Sequence, residues 1–177
     1  MSGPKGLIQV YTGEGKGKTT AALGLACRAR GRGLKVCYVC FHKEPKKWGY
    51  GEQRILKKLG IKVKGLAKKH PRFFSGISTR EIRKDCLKGL ECIKGILQKN
   101  KYDMLILDEI LISLRDGFLK EKEILGILAS KPKDLELVLT GRGASQKIIE
   151  KADLVSEIKK IKHPYDLGIK GRKGIEF

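Results

Sequence analysis

The residues with the clearest chemical potential lie in a glycine-rich segment, Gly13-Glu-Gly-Lys-Gly-Lys-Thr-Thr20. It follows an apolar run at residues 7–11 and precedes an Ala- and Leu-rich stretch that ends near Arg30. Between a strand and a helix, such glycines let consecutive backbone N–H groups converge on one anion. The pattern predicts a phosphate-binding loop in which Lys18 contacts phosphate oxygens and the Thr19 hydroxyl binds the Mg²⁺ of a nucleotide. An ordinary glycine turn is disfavoured because Lys-Thr follows the last glycine.

The loop departs from the common pattern at its first position. Thr12 stands where the first glycine is usual, and Gly13 comes one residue late. This variant predicts a triphosphate held differently from that of an ordinary ATPase.

A pair of acids supplies the second half of the predicted site. The apolar run Met104-Leu-Ile-Leu ends at Asp108-Glu109, about 90 residues after the loop. A buried strand that delivers carboxylates beside bound phosphates implies a cation, which an acid holds directly or through water. An acid pair capping the next helix is the alternative, and the upstream loop favours the metal–nucleotide interpretation.

Two arginines are candidates for contacts with the nucleotide. Arg142 follows the apolar run 135–140 and is predicted on the ligand side, where it suits an anion. Arg28 lies about ten residues beyond Lys18 on the same predicted helix. The alternative to a nucleotide contact is that Arg28 is an exposed surface residue.

The order of elements explains how these residues meet. Strands are predicted at 6–12, 34–41, 61–66, 104–107, 135–140 and 154–158, and helices at 18–30, 52–59, 78–99, about 120–129 and 145–151. Short apolar strands alternating with helices predict an α/β fold, a mainly parallel sheet with helices on both faces, in a single domain spanning 1–177. Ligands of such sheets bind beyond the carboxyl ends of the strands. Residues 67–76 are predicted to form an irregular active-site loop.

The charge balance favours anionic partners. The chain has 39 Lys and Arg against 19 Asp and Glu, a net charge of +20. Nucleic acid is one interpretation, but the lysines are spread along the chain and lack interleaved aromatic residues. A polyanionic small molecule is favoured. Without a long apolar run or an apolar leader, the chain is predicted to be cytoplasmic and free of membrane spans.

The five cysteines do not predict a disulfide framework or a metal site. Cys37 and Cys40 lie three apart on a predicted strand and therefore point to opposite faces. Cys86 and Cys92 are six residues apart on a predicted helix and also diverge. All five are interpreted as small buried hydrophobic residues.

Over nearly its whole length the chain resembles the P-loop ATP:corrinoid adenosyltransferases, which act on cob(I)alamin or cob(I)yrinic acid a,c-diamide. The resemblance is carried by residues 6–26, 107–109 and 138–142, and by a tail at 162–170 and 173–177 that is its most specific part. It implies a RecA-like P-loop NTPase architecture and transfer of the 5′-deoxyadenosyl group of ATP to Co(I), with release of triphosphate. It also implies an ATP reversed in the loop, so that C5′ faces the corrinoid.

The resemblance assigns roles residue by residue. The implied ATP-binding residues are Gly13, Glu14, Gly15, Lys16, Gly17, Lys18, Thr19, Thr20, Arg28 and Arg142. Lys18 and Glu109 are the implied catalytic residues. The implied metal-site residues, for Mg²⁺ or Mn²⁺, are Thr19, Glu109 and Asp108, and Asp108 acts behind the other two as a support for the ligands. Phe73 and Phe74 are candidates for the corrinoid face. The implied partners are a reductase that delivers Co(I) and a second copy in a homodimer.

Three regions differ from the family pattern. Leu111 stands where Asn is frequent, Cys40-Phe41 replaces a Gln-Phe pair, and Arg72-Phe-Phe-Ser-Gly76 lacks the tryptophan of a Phe-x-Trp stretch. Two other hypotheses stay open at this point: a RecA-like ATPase acting on nucleic acid, and a nucleotide or nucleoside kinase. Both require the γ-phosphate at the reacting centre.

Overall fold

The computed structural model describes residues 5–43, 51–71 and 74–176, which form one parallel sheet with flanking helices. The strands are β1 (Ile8–Thr12), β2 (Val36–Phe41), β3 (Lys62–Leu66), β4 (Met104–Asp108), β5 (Glu136–Thr140) and β6 (Leu154–Glu157). They lie in the order β3-β2-β4-β5-β1-β6, and every pairing is parallel. The described helices are α1 (Lys18–Gly31), α2 (Gly51–Lys58), α3 (Thr79–Lys99), α4 (Ile110–Arg115), α5 (Glu121–Ala129), α6 (Gln146–Lys151) and a 3₁₀ helix at Pro164–Leu167.

Helices cover both faces of the sheet, as predicted. Side chains of β2 and β4 are buried throughout, which is why these strands are nearly continuous apolar runs. One core layer packs α3, α4 and α5 against one face, and it contains Cys37. The other packs the alanines of α1 and Leu56 of α2 against the opposite face, and it contains Cys40. The prediction that these two cysteines point apart is confirmed.

The long helix α3 follows its sequence pattern closely. Ser78 caps it, accepting from the Glu81 backbone N–H while the Glu81 carboxylate accepts from the Ser78 N–H. Its buried stripe is Ile82, Cys86, Gly89, Leu90, Ile93 and Leu97. The helix ends at Asn100, whose φ of 42° lies in the left-handed region.

The structure corrects several sequence-based expectations. Helix α4 and the 3₁₀ helix were not predicted. Helix α4 has only 6 residues and no capping side chain, so it carries little local signal. Cys27 is exposed and Cys92 is half-buried, so the interpretation of all five cysteines as buried was wrong for these two. Both occupy helix positions outside the buried stripes.

Strand β6 is an exposed edge. All four of its residues are exposed, including Leu154 and Val155 at 40% and 38%. Among the described residues, no helix is long and apolar enough to cross a bilayer.

Candidate active site

Three neighbouring strands deliver the predicted site residues to one edge of the sheet. Strands β4, β5 and β1 lie side by side, and their carboxyl ends are Asp108, Thr140 and Thr12. The glycine-rich loop leaves β1, Glu109 follows β4, and Arg142 follows β5. The fold therefore brings together segments that are about 90 and about 120 residues apart in sequence.

The loop lies against the chain that leaves β6. The backbone N–H of Gly15 donates to the carbonyl of Ile158 at 2.7 Å. A Cβ on Gly15 would come within 2.5 Å of the Lys159 carbonyl oxygen, and one on Gly13, where φ is 96°, within 2.5 Å of that of Ile158. Glycine is required at both positions because backbone packs directly against them.

Lys18 folds back over the loop. Its ammonium donates to the carbonyls of Gly13 and Gly15, at 2.6 Å each. Only 7% of the residue is exposed, and burial lowers its pKa, while the charge of Glu109 opposes that effect. The ammonium is thus held at the inner side of the loop, where a phosphate would meet it.

Asp108 is the buried centre of the site, with no exposed surface. Its Oδ1 accepts from the hydroxyls of Thr19, at 2.9 Å, and Thr140, at 2.8 Å. Its Oδ2 accepts from the Tyr38 hydroxyl at 2.6 Å and pairs with the Lys43 ammonium at 2.7 Å. Burial raises the pKa of Asp108, but Lys43 and the hydroxyl donors outweigh it and hold that pKa below its ordinary value.

Glu109 presents the second carboxylate to the cavity. Its backbone is in the left-handed region, with φ of 63°, and its N–H donates to the Thr140 hydroxyl at 2.9 Å. Burial, and then the charge of Asp108, raises its pKa above the ordinary value. A cation beside this carboxylate would relieve that electrostatic cost.

Sequence reasoning missed Lys43 and Tyr38. The Lys43 ammonium also lies 3.6 Å from a Glu52 carboxylate oxygen. Burial lowers its pKa, but Asp108 raises it further, so the net pKa lies above the ordinary value. The available signals were a polar hydroxyl within the otherwise apolar β2 and the first cation beyond the carboxyl end of that strand.

These groups surround a cavity of about 540 Å³, a size typical of small-molecule sites. It is lined by Gly15, Lys16, Gly17, Lys18, Thr19, Thr20, Leu23, Lys43, Gly51, Glu52, Glu109, Arg142, His163, Gly174, Ile175 and Glu176. At its rim, the Arg142 guanidinium pairs with Glu14 at 3.1 Å. The last four of these residues belong to the tail. No chemical motif in the sequence had indicated that the tail would line the cavity.

The other predicted residues lie elsewhere. Arg28 is exposed on α1 and is not among the described residues that line the cavity. Phe74 is partly buried and donates its backbone N–H to the His70 carbonyl at 3.1 Å. Phe73 lies outside the described residues.

A second polar cluster lies beyond the ends of β2 and β3. His42 bonds Ser113 Oγ at 2.8 Å, and His70 bonds Asp116 at 2.8 Å. The two imidazole rings meet edge to face, with centroids 5.1 Å apart. Burial lowers the pKa of His42 to about 4, so this ring is neutral near pH 7.

The donors available to a metal are oxygen atoms. Within the described part of the chain, no group of three or more His, Cys, Asp or Glu residues could hold a metal ion by itself. The Thr19 hydroxyl and the Glu109 carboxylate both line the cavity, and hard oxygen donors suit Mg²⁺ bound together with phosphates. Each Asp108 oxygen already accepts two contacts, so this residue fits a role behind the ligands.

A model of the family described as ATP:corrinoid adenosyltransferase BtuR/CobO/CobP matches residues 4–177. The chain belongs to this family. The corrinoid adenosyltransferase of Escherichia coli (strain K12) is 36% identical over 174 residues, which cover 98% of this chain and 86% of that relative. The corrinoid adenosyltransferase CobA of Salmonella typhimurium (strain LT2) is 35% identical with the same coverage. Membership in this family does not favour the hypothesis that the chain is an ATPase acting on nucleic acid.

A solved structure supports the architecture. The KaiC-like protein PH0186 from Pyrococcus horikoshii OT3 superposes with a TM-score of 0.53, covering 88% of this chain and 74% of that one. Sequence identity is 18%, so the likeness concerns the fold alone, which is α/β and RecA-like as predicted.

Proposed function

We propose that this chain, acting as one domain, transfers the 5′-deoxyadenosyl group of ATP to Co(I) of a corrinoid such as cobalamin or cobyrinic acid a,c-diamide. The observation that carries the proposal is the family match, which spans the loop, the acid pair and the tail. Each of the three segments contributes residues to the same cavity, and Glu109 is the contribution of the acid pair.

The reaction is a substitution at carbon. An electron pair of Co(I) forms the bond to C5′, the bond from C5′ to its oxygen breaks, and triphosphate leaves with that electron pair. Cobalt is oxidised to Co(III), and no proton is removed. Because Co(I) is already a strong nucleophile, the residues need only align the reactants and stabilise the charge that grows on triphosphate.

The loop supplies that stabilisation. Residues 15–20 of the loop line the cavity, where free backbone N–H groups would face the phosphates, and Lys16 and Lys18 add two positive charges. Lys18 is held on the carbonyls of Gly13 and Gly15, within the loop that would cradle the phosphates. Arg142 lines the same cavity and adds a charge at its rim.

A divalent ion completes this part of the proposal. Thr19 and Glu109 would hold Mg²⁺ or Mn²⁺, and Asp108 would orient Thr19 through their 2.9 Å hydrogen bond. When bound, the ion would neutralise part of the charge on triphosphate. The carboxylate–hydroxyl pairing fits such an ion because both donors are oxygen.

The proposal also includes contacts with the corrinoid and with protein partners. Phe73 and Phe74 are proposed to pack on the corrin, and a reductase is proposed because Co(I) must be generated from a more oxidised state. A homodimer is also proposed, and β6 offers it an exposed strand edge. We place the enzyme in the cytoplasm, where its cysteines, which are free in the structure, stay reduced.

An anaerobic spectral assay tests the proposal. The protein is mixed with MgATP and chemically reduced Co(I) cobalamin, and the visible spectrum is followed before and after illumination. The proposal expects a light-sensitive alkylcobalamin spectrum that requires both ATP and protein. An unchanged Co(I) spectrum with folded protein would contradict it.

A further inference from the structure

The tail of the chain returns to the phosphate-binding loop and meets it through a charged side chain. The Glu176 carboxylate lies 2.8 Å from the Lys16 ammonium. Arg172 holds the same carboxylate, from its backbone N–H at 2.6 Å and from its guanidinium at 3.0 Å. Glu176 therefore joins two cations that are 156 residues apart in the chain (172 − 16).

A turn brings the carboxylate to this position. The backbone N–H groups of Ile175 and Glu176 donate to the Arg172 carbonyl, at 3.2 and 2.9 Å. Gly174 sits inside the turn with φ of 81°, a conformation that favours glycine. The turn and the bidentate guanidinium contact fix the carboxylate on the side that faces Lys16.

The tail forms one side of the cavity and leaves space for a ligand. Gly174, Ile175 and Glu176 line the same 540 Å³ as the loop, so room for a ligand exists while the tail is in place. Ahead of the tail, just after β6, the Gly15 N–H of the loop donates to the Ile158 carbonyl. The loop therefore contacts the C-terminal part of the chain at two places, Ile158 and Glu176.

We propose that Glu176 is a positioning residue for the polyphosphate of ATP, acting through Lys16. An ammonium has three N–H donors, and one of those of Lys16 donates to Glu176. Because both side chains line the cavity, the remaining donors would be available to a phosphate there. The same contact holds the tail against the loop, where the tail limits the access of water to the bound phosphates. This inference rests on the proposed use of ATP and extends it to a residue outside the loop.

The test measures ligand binding, not turnover. Dissociation constants for ATP, inorganic triphosphate and adenosine are determined by calorimetry with wild-type protein and with Glu176→Gln, which keeps size and removes charge. We expect roughly two- to five-fold weaker binding of ATP and triphosphate, as for the loss of an exposed ion pair, and unchanged binding of adenosine. The difference should shrink at high salt. Arg172→Gln should act in the same direction, because it releases the carboxylate.

Glu91→Gln is the matched control. Glu91 forms an exposed ion pair with Lys94, also at 2.8 Å, on helix α3 and outside the cavity. It should bind all three ligands as wild type does. Equal or tighter binding of ATP by Glu176→Gln overturns the inference, since tighter binding means that the carboxylate competes with phosphate for Lys16. A wild-type protein that binds neither ATP nor triphosphate overturns the proposed function as well.

Discussion

The Thr19 hydroxyl donates a 2.9 Å hydrogen bond to Asp108 Oδ1 and so joins the phosphate-binding loop to the end of β4. The Asp108 carboxylate is buried at the end of the central strand β4, and this bond connects it to the first turn of α1. The orientation of the predicted metal ligand therefore depends on Asp108, a residue that itself contributes no surface to the cavity.

Removing the loop ammonium should abolish transfer. Lys18→Ala takes away the cation held by the carbonyls of Gly13 and Gly15, and we expect kcat to fall by about 10²-fold or more. Circular dichroism should report an intact fold. Lys94→Ala, at an exposed position of α3, serves as the control with unchanged turnover. Wild-type turnover by Lys18→Ala would refute the assignment of the loop as the phosphate cradle.

Neutralising the central carboxylate should destabilise the fold. Asp108→Asn leaves the largely buried Lys43 ammonium without its closest counter-charge, at a cost of about 3 kcal/mol. Tyr38→Phe removes one neutral donor to the same oxygen and should cost about 1 kcal/mol. Urea denaturation measures both free energies of unfolding. The electrostatic account is wrong if Asp108→Asn is no less stable than Tyr38→Phe.

Stability should fall as the pH drops from about 6.5 to about 4. Burial lowers the pKa of His42 from an ordinary 6.5 to about 4, so the unfolded chain binds a proton in this range before the folded chain does. The stability contributed by the neutral ring is full above this window and is lost as the pH falls through it, by up to about 3 kcal/mol. Unfolding free energies at several pH values give the slope, which His42→Gln should flatten. An unchanged slope in that variant would assign the dependence to other groups.

Two glycine-to-alanine substitutions should have opposite effects. A Cβ at Gly15 would meet backbone of Lys159 and Ile158, and we expect Gly15→Ala to cost about 1–3 kcal/mol and to weaken nucleotide binding. At Gly24, within α1, a Cβ meets nothing within 4 Å, so Gly24→Ala should stabilise by about 0.5–1 kcal/mol. Thermal unfolding of both variants checks the pair. Equal melting temperatures would mean that the loop does not depend on the close approach of Ile158 and Lys159.

The sequence was sufficient for the elements whose side-chain pattern is local. The buried runs of β2 and β4 and the apolar stripe of α3 give strong periodic signals. Ser78 and Glu81 mark the start of α3 by their spacing alone. Helix α4 lacks both signals, since its 6 residues are too few for a periodic stripe and no side chain caps its start.

Contacts between distant segments lay beyond the sequence pattern. Lys43 and Tyr38 meet Asp108 because β2 pairs with β4 in a register that sets Cys40 beside Asp108. Nothing in the local sequence fixes that register. The approach of Glu176 to Lys16 likewise follows from the path of the tail after β6.

Phosphorus NMR of the reaction mixture is the most direct test of the central claim, because it identifies the bond that breaks. Wild-type protein is incubated anaerobically with MgATP and Co(I) cobalamin, and the phosphate products are resolved. The account predicts intact triphosphate in the same amount as the alkylcobalamin formed. ADP and inorganic phosphate, with no change at cobalt and with stimulation by DNA or RNA, would contradict it and identify a nucleic-acid-dependent ATPase.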